Sequence, residues 1–519
     1  MMSDTVDQVF AQAAQDAGSS AHLVFAAGDS CTYRETYQRA QRLAAVLIAG
    51  GIAPGDRVVC FLGNSRPLFE LYIACGLTGA TAVPINTLST AREVGNVIAD
   101  CTPRGIVVQR SALAALSGED LAQDLPVRLL FKPESEAPTC GWRDYEEALA
   151  STESVTEESC SRPDDAAMIM YSSGTTGAPK GIVLGHRQLL ANARLVRQVL
   201  GYGPSDRFLT LLPSFHVFGY SFDFLQSALA RAPMVVLPTF EPQIALDLIQ
   251  QKRVTVLAGV PLMFVTMFDP AAIGDRDISC LRLIDVGGGP VPPSLVRGLQ
   301  RNLGVNTVES YGLTEISPVA SVQIPGRLAP EGSCGPVLPG IELRVHDRDG
   351  NPVATSESGE LQFRCNTFMI GYWQQPELTA ATLAEGWLRT GDVGRVDEAG
   401  NIFIHDRIKD MIVTNGYNVY PKEVELVLYA HPAVQSVAIV GVPHEVRGED
   451  LHAFVVRAPG ADTDGEALIT YCREQLARFK VPRGVSFIDA MPLTASGKIR
   501  RFALRKKSTE SAPAQEISP

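Results

Sequence analysis

Short apolar runs rich in β-branched residues alternate with longer segments of helical period, and this alternation most restricts the fold. Strand-like runs occur at Arg57–Leu62, Ala167–Tyr171, Met234–Leu237, Leu281–Val286 and Ile341–Val345. Helical periodicity occupies Tyr33–Ala49, His186–Leu200, Ile244–Lys252 and Pro293–Asn302. Such a pattern predicts α/β layers with largely parallel sheets, the helices filling the crossovers.

Beyond about residue 330 the strands shorten and turns become dense, as in GIELRVHDRDGNPV, SGELQFRC and GNIFIHDR. That texture predicts an antiparallel β region closing a large unit, with Asp349-Gly350 as a hairpin-type turn between its first strands. A second unit begins near residue 410. Met411–Val413, Val437–Val442 and Ala453–Val456 are strand-like there, and Pro421–Tyr429 and Ala467–Phe479 are helix-like. The expected division is a large N-terminal domain over 1–408, a small α+β domain over 409–507, and a polar, disordered tail over 508–519.

Composition narrows the function classes. The chain has 519 residues, 45% of them apolar and 20% charged, which excludes a disordered chain. A net charge of −12 argues against sequence-independent nucleic-acid binding. Ten cysteines without a C-x-x-C pair read as reduced thiols of a cytoplasmic protein. The acidic start MMSDTVDQVFAQAAQDAG fits neither a signal nor a transit peptide. The charge-free stretch from Leu71 to Ala91 is broken by Gly76, Gly79 and Pro84, so it reads as helix, strand and turn and not as a membrane span. There is no G-x-S-x-G elbow and no H-E-x-x-H pair.

The most unusual stretch is YSSGTTGAPKG, Tyr171 to Gly181. An apolar strand runs into hydroxyls, glycines and Lys180. Backbone N–H groups and hydroxyls there suit anionic oxygens, and Lys180 adds a point charge. It departs from the P-loop, because Pro179 precedes the lysine and Gly181 follows it. On composition alone, a flexible Ser/Gly loop is an equal reading.

Further motifs follow in order: PSFHVFG from Pro213, Gly287-Gly288-Gly289-Pro290, YGLTE from Tyr311, LRTGD from Leu388, RIKDMIVTNGYNVYPKEVE from Arg407 and PLTASGKIR from Pro492. With the Tyr171 loop, this set resembles the adenylate-forming superfamily of acyl-CoA synthetases, luciferases and peptide-synthetase adenylation domains, and looks most like acyl-CoA ligases. The resemblance implies a layered α/β N-terminal domain with a β region, a small mobile α+β C-terminal domain, and ATP, Mg²⁺ and CoA or a carrier-protein pantetheine as reactants. Thr175, Thr176 and Lys180 would hold the β- and γ-phosphates, Thr314 the α-phosphate and Glu315 the Mg²⁺. Gly288, Gly289 and Tyr311 would flank the adenine, and Asp392 and Arg407 would bind the ribose. Lys498 would bridge the α-phosphate and the acyl carboxylate during adenylation. Lys409 matches the hinge position, and Gly416 would line the thiol tunnel. Each residue alone has a bland reading: a helix cap for Glu315, a turn for Asp392, a surface ion pair for Arg407. The departures are Asp406, where many members have Gly, and Leu388, where some have Tyr.

His216 would line the acyl pocket at the head of a helix running to about Ala230. At α-helical spacing His216, Tyr220, Asp223 and Ser227 share one face. Phe218, Tyr220, Asp223, Val260, Gly312 and Ile316 are the expected pocket residues, with Met263 and Val286 beside them. Asp223 has two readings: a carboxylate turned to solvent or to a structural Arg, or one facing the pocket and pairing with a substrate amine, as in relatives that load β-amino acids. The basic cluster Arg500, Arg501, Arg505, Lys506 and Lys507 could meet CoA phosphates or an acidic carrier protein. The expectation is therefore an AMP-forming acyl-CoA ligase for a medium or long aliphatic acid. The alternatives are a stand-alone enzyme loading an amine-bearing or aryl acid onto a carrier protein, and a non-catalytic nucleotide-binding relative. A homodimer is compatible with the chain, and no nucleic-acid partner or transmembrane segment is expected.

Overall fold

The computed structural model describes residues 4–26, 28–116, 122–131, 141–152, 159–172, 180–347, 349–415, 417–444, 446–493 and 499–511. The protein is α/β. One eight-stranded sheet runs, in spatial order, through Val319–Val322, Asn306–Gly312, Leu283–Val286, Val256–Gly259, Phe208–Leu209, Met234–Val236, Ala21–Phe25 and Ser30–Thr32. A second runs through Gly371–Tyr372, Lys180–Gly185, Ala166–Ser172, Thr81–Pro84, Arg57–Phe61, Gly105–Gln109, Val127–Phe131 and Arg143–Asp144. Pairing is parallel through the middle of each sheet and antiparallel only at the ends.

Helices fill the space between these layers. Every residue of the Arg66–Thr78 helix after Arg66 is buried. Apart from Glu70, which pairs with Arg39, the helix is apolar on every face, and such a helix belongs inside. Its Phe69 stacks on Phe224 at 5.3 Å and its Tyr72 meets Tyr220 edge-on at 5.0 Å within the main core, and a second buried cluster gathers around Val59, Phe61, Val83, Ile106 and Val108. The Tyr33–Ala49 helix starts at a capping box in which Thr32 and Glu35 satisfy each other's backbone N–H groups. Among the described residues no helix is long and apolar enough to cross a membrane, and no cysteine is bridged.

The helix after His216 differs from expectation. It consists of an α turn at Val217–Gly219, a π-helical stretch at Tyr220–Leu225 and an α turn at Gln226–Ala230. A π turn takes more residues than an α turn, so α spacing does not carry one face through it. His216, Tyr220, Asp223 and Ser227 therefore do not share a face. Tyr220 packs on Tyr72 and Phe224, while the Ser227 hydroxyl donates to the backbone O of Phe224.

The β region is antiparallel, built from Glu342–His346, Gly359–Arg364, Trp387–Val396, Leu383–Ala384 and Ile402–Arg407. Asp349-Gly350 does turn the chain, but it closes a single bridge between His346 and Pro352. The partner strand begins only at Gly359, because residues 353–358 intervene. The last sheet contains Ile412–Thr414, Tyr417–Val419, Val434–His444, Gly448–Arg457 and Gly484–Phe487, with its own apolar core. Asp406 joins this part to the β region: its Oδ2 accepts from the Lys422 backbone N–H at 2.9 Å. The Arg501–Ser511 helix runs into the stretch expected as tail; 512–519 lie outside the described residues.

Candidate nucleotide and acyl site

Two neighbouring parallel strands, Leu283–Val286 and Asn306–Gly312, deliver the motif residues at their C-terminal ends. That is where open α/β sheets place ligands. The first strand runs into Gly287, Gly288 and Gly289, with Gly288 at φ +76°. A Cβ on Gly287 would lie 2.7 Å from Ser310 Oγ and 3.4 Å from the Phe218 ring. One on Gly288 would lie 3.3 Å from Val260 and 3.6 Å from Phe218. Phe218 and Val260 thus converge on the glycine loop.

The second strand ends at Tyr311. Its hydroxyl donates to Asp392 Oδ2 at 2.6 Å, and Arg407 Nε sits 3.1 Å from Asp392 Oδ1. Asp392 and Arg407 are cross-strand partners in the Trp387–Val396 and Ile402–Arg407 pair, so the sheet register sets their contact. The Asp392 side chain is 5% exposed and that of Arg407 48%. Thr390 Oγ1 accepts the Asp392 backbone N–H at 2.9 Å and donates to Leu361 O at 2.7 Å, which fixes the carboxylate from behind. Burial and the Asp392 charge push the Tyr311 phenol well up.

After Gly312 the chain makes a tight turn, Thr314–Ile316. Gly312 is required there, because a Cβ would strike the Pro318 carbonyl oxygen at 2.0 Å. Asn192, fully buried on the His186–Leu200 helix, holds the turn. It donates to Ile316 O at 3.2 Å and Val319 O at 2.8 Å, and accepts from the Val319 N–H at 3.1 Å. Glu315 is held from the other sheet: Tyr372 OH donates to its Oε1 at 2.9 Å, and the Met369 N–H donates to its backbone O at 2.8 Å. Lys180 Nζ lies 5.9 Å from the centre of the Tyr372 ring, which brings the end of the Tyr171 loop to the same place.

Lys409 sits in the short turn Ile408–Asp410, immediately after Arg407. Burial holds its ammonium below the usual range, the Arg407 charge adds to this, and Asp410 and Asp392 oppose it. His216 caps the turn after it, its Nδ1 accepting from the Phe218 N–H at 3.2 Å. A neutral ring in that role carries its proton on Nε2.

Of the expected pocket residues, Phe218 and Val260 line the glycine loop, and Gly312 with Ile316 forms the Asn192-held turn. Tyr220 faces Tyr72 instead. Asp223 is neither solvent-facing nor paired with an Arg: it is 1% exposed and its Oδ2 has no hydrogen-bond partner among the described residues. Burial pushes its carboxyl well up. The basic cluster is partly spent, since Arg501 forks onto Glu425 and also donates to Ile439 O at 2.7 Å. Thr175, Thr176, Gly416 and Lys498 lie outside the described residues. Asn192, Tyr372 and Thr390 escaped the sequence reading, because no period or motif marks a lone Asn, Tyr or Thr.

Residues 9–373 match the family described as AMP-binding enzyme, and residues 423–498 match the AMP-binding enzyme C-terminal domain. The chain belongs to the AMP-binding enzyme family. The adenylate-forming resemblance drawn from the motifs stands with it. Among relatives of this AMP-binding enzyme, a feruloyl-CoA synthase of Amycolatopsis is 35% identical over 92% of this chain and 94% of its own. A fatty acid–[acyl-carrier-protein] ligase, ScoC, of Streptomyces coeruleorubidus is 34% identical over 93% of each chain. The ATP-bound crystal structure of MatB from Rhodopseudomonas palustris superposes with a TM-score of 0.89 at 31% identity, over 97% of this chain and 99% of that one.

Proposed function

We propose that the protein is an ATP-dependent acid–thiol ligase. It joins a carboxylic acid to AMP, releasing pyrophosphate, and passes the acyl group to the thiol of CoA. The observation that carries this reading is the buried Asp392 carboxylate held between the Tyr311 hydroxyl and Arg407. A carboxylate oriented by such donors keeps acceptor capacity for a vicinal diol, here that of the ribose. Tyr311 with Gly288 and Gly289 flanks the adenine. Thr175, Thr176 and Lys180 take the outer phosphates, and Thr314 takes the α-phosphate.

Glu315 fits a divalent cation: it is a hard oxygen donor whose Oε1 is oriented by Tyr372. Among the described residues no three His, Cys, Asp or Glu side chains gather as a metal set. That matches a Mg²⁺ held by one carboxylate together with phosphate oxygens and water. The ion, when bound, offsets repulsion between two anionic reactants.

In the first step an oxygen of the acid attacks the α-phosphorus and the bond to pyrophosphate breaks. Lys498 stabilises the charge shared by acid and phosphate, and His216 borders the acyl group. In the second step the thiol sulfur attacks the acyl carbon, AMP leaves and the thiol proton is lost. Lys409 is the hinge between the two steps, at the boundary of the 1–408 and 409–507 domains, and Gly416 lines the thiol's approach.

For the acid, the apolar side chains of Phe218 and Val260 beside the glycine loop support a medium or long aliphatic chain. The fatty-acid ligase among the relatives agrees with it. A second reading rests on Asp223. A buried carboxyl whose Oδ2 has no hydrogen-bond partner among the described residues favours an acid whose amine would supply the missing cation. Pyrophosphate release across fatty, aryl and β-amino acids, each with and without CoA, tests both. A fatty-acid optimum raised by CoA supports the acyl-CoA ligase. A β-amino-acid optimum indifferent to CoA supports carrier-protein loading, and no pyrophosphate release with any acid leaves a nucleotide-binding relative without catalysis.

A further inference from the structure

Away from this site, the edge strand Ser30–Thr32 and two helices border an open pocket of about 330 Å³. It is lined by Ser30, Cys31, Glu35, Gln38, Arg39, Arg42 and Arg66. The three arginines differ in what they have left to give. Arg39 is committed: its Nε lies 2.5 Å from Glu70 and its Nη2 lies 2.8 Å from Glu146. Arg42 has no hydrogen-bond or ion-pair partner among the described residues. Arg66 stacks on Phe25 at 5.2 Å, and its Nε is sealed from solvent without a partner.

Glu35, the acid among these lining residues, keeps its charge and offsets part of that of Arg66, while Arg42 stays uncompensated. Glu35 Oε2 is engaged by the Thr32 N–H at 2.7 Å and the Thr32 hydroxyl at 2.9 Å. The backbone adds to the positive side. Arg66 is the first residue of the 13-residue Arg66–Thr78 helix, whose N-cap Ser65 makes no cap bond. The Ser65 hydroxyl donates to Gly63 O at 2.9 Å instead. The positive end of the helix dipole therefore lies at Arg66, which lines the pocket together with Arg42.

We propose that this pocket binds the phosphate group of a small, soluble phosphate monoester, separately from the nucleotide site. A dianion with three terminal oxygens matches two guanidinium forks; a carboxylate would fill only one fork. The remaining volume admits a small organic group, and Ser30 and Gln38 offer it hydroxyl and amide partners. A lipid headgroup carries the same phosphate chemistry, and the vesicle arm of the test separates it from a soluble ligand.

The test uses the full-length protein with its adenylation site filled by an acyl-sulfamoyl-adenosine analogue. Glycerol 3-phosphate is titrated calorimetrically, and in parallel vesicles containing phosphatidic acid are sedimented with the protein. The expected result is one saturable site for glycerol 3-phosphate, weakened at least ~10-fold in Arg42→Gln and in Arg66→Gln by the loss of a charge-assisted bond. Arg66→Lys keeps part of the affinity, and Arg207→Gln, at an exposed arginine elsewhere, leaves it unchanged. Arg42 is exposed, so Arg42→Gln reports on binding even if Arg66→Gln lowers stability. No saturable binding, or equal binding in both variants, overturns the proposal. So does binding to the vesicles alone.

Discussion

The Tyr311 hydroxyl donates to Asp392 Oδ2 at 2.6 Å while Arg407 faces Oδ1 of the same carboxylate at 3.1 Å. The two contacts come from different sheets, so the carboxylate ties the parallel core to the antiparallel β region. Removing it leaves a phenol and a guanidinium without their partner. Asp392→Ala is expected to raise the KM for ATP by ~10–100-fold, the scale of a lost hydrogen bond to a charged group at about 1.5–3 kcal/mol. Tyr311→Phe, which removes one donor and keeps the carboxylate, is expected to cost only several-fold. Steady-state pyrophosphate release at varied ATP measures both, and an unchanged KM in Asp392→Ala would remove the ribose assignment.

Asn192 makes a second prediction that no motif offers. Its three hydrogen bonds brace the turn that carries Thr314 and Glu315. Asn192→Ala strands buried carbonyls and an N–H, at about 1–3 kcal/mol for each group left unsatisfied. The expected outcome is a urea midpoint lowered by that scale and pyrophosphate release reduced about tenfold or more. Wild-type release in a folded Asn192→Ala protein would show that the turn keeps its shape without the brace.

Legibility followed the physics of each element. The Tyr33–Ala49, His186–Leu200 and Pro421–Tyr429 helices begin and end at the residues their periods indicate, because amphipathic faces and caps are local signals. The π stretch at Tyr220–Leu225 is not local in that sense. Its apolar residues fit α spacing equally well, and its Tyr220 packs on Tyr72 of a helix distant in sequence. Gly181 is fixed by packing instead: a Cβ there would meet Ile169, Trp373 and Tyr171 within 3.2 Å. Close sheet packing already requires glycine. The Asp392–Arg407 contact depends on strand register across a hairpin, and the Tyr372–Glu315 contact on two sheets meeting. Neither distance is written in one segment.

Lys498 separates the two half-reactions. If it serves the α-phosphate and the acid together, Lys498→Ala should reduce pyrophosphate release by ~10²–10³-fold, as for other preorganised charge-stabilising groups. Thioester formation from supplied acyl adenylate and CoA should stay near wild type. Rapid-quench measurement of each half-reaction decides this, and equal loss in both would assign Lys498 to structure or to the thiol step.

Asp285 ties stability to pH. It lies on the strand leading to the glycine loop and is fully buried. Neither carboxylate oxygen has a partner in hydrogen-bonding geometry, although the Ser310 hydroxyl is near. Burial pushes its carboxyl from an ordinary 3.8 up to about 7, and the Glu309 charge adds to the rise. Between those values the unfolded chain has released the proton and the folded chain retains it, so stability falls as pH rises. Each pH step across that window costs about 1.4 kcal/mol, which makes ~4 kcal/mol an upper bound for the penalty above pH 7. Below pH 3.8 the penalty vanishes, because both states are protonated. Asp285→Asn removes the titration and keeps the shape. Relative to wild type it should therefore gain on the order of 2–4 kcal/mol on moving from pH 4.5 to pH 8. Urea unfolding at the two pH values measures the difference, and a gain that does not change with pH would mean that water or Ser310 already satisfies the carboxylate.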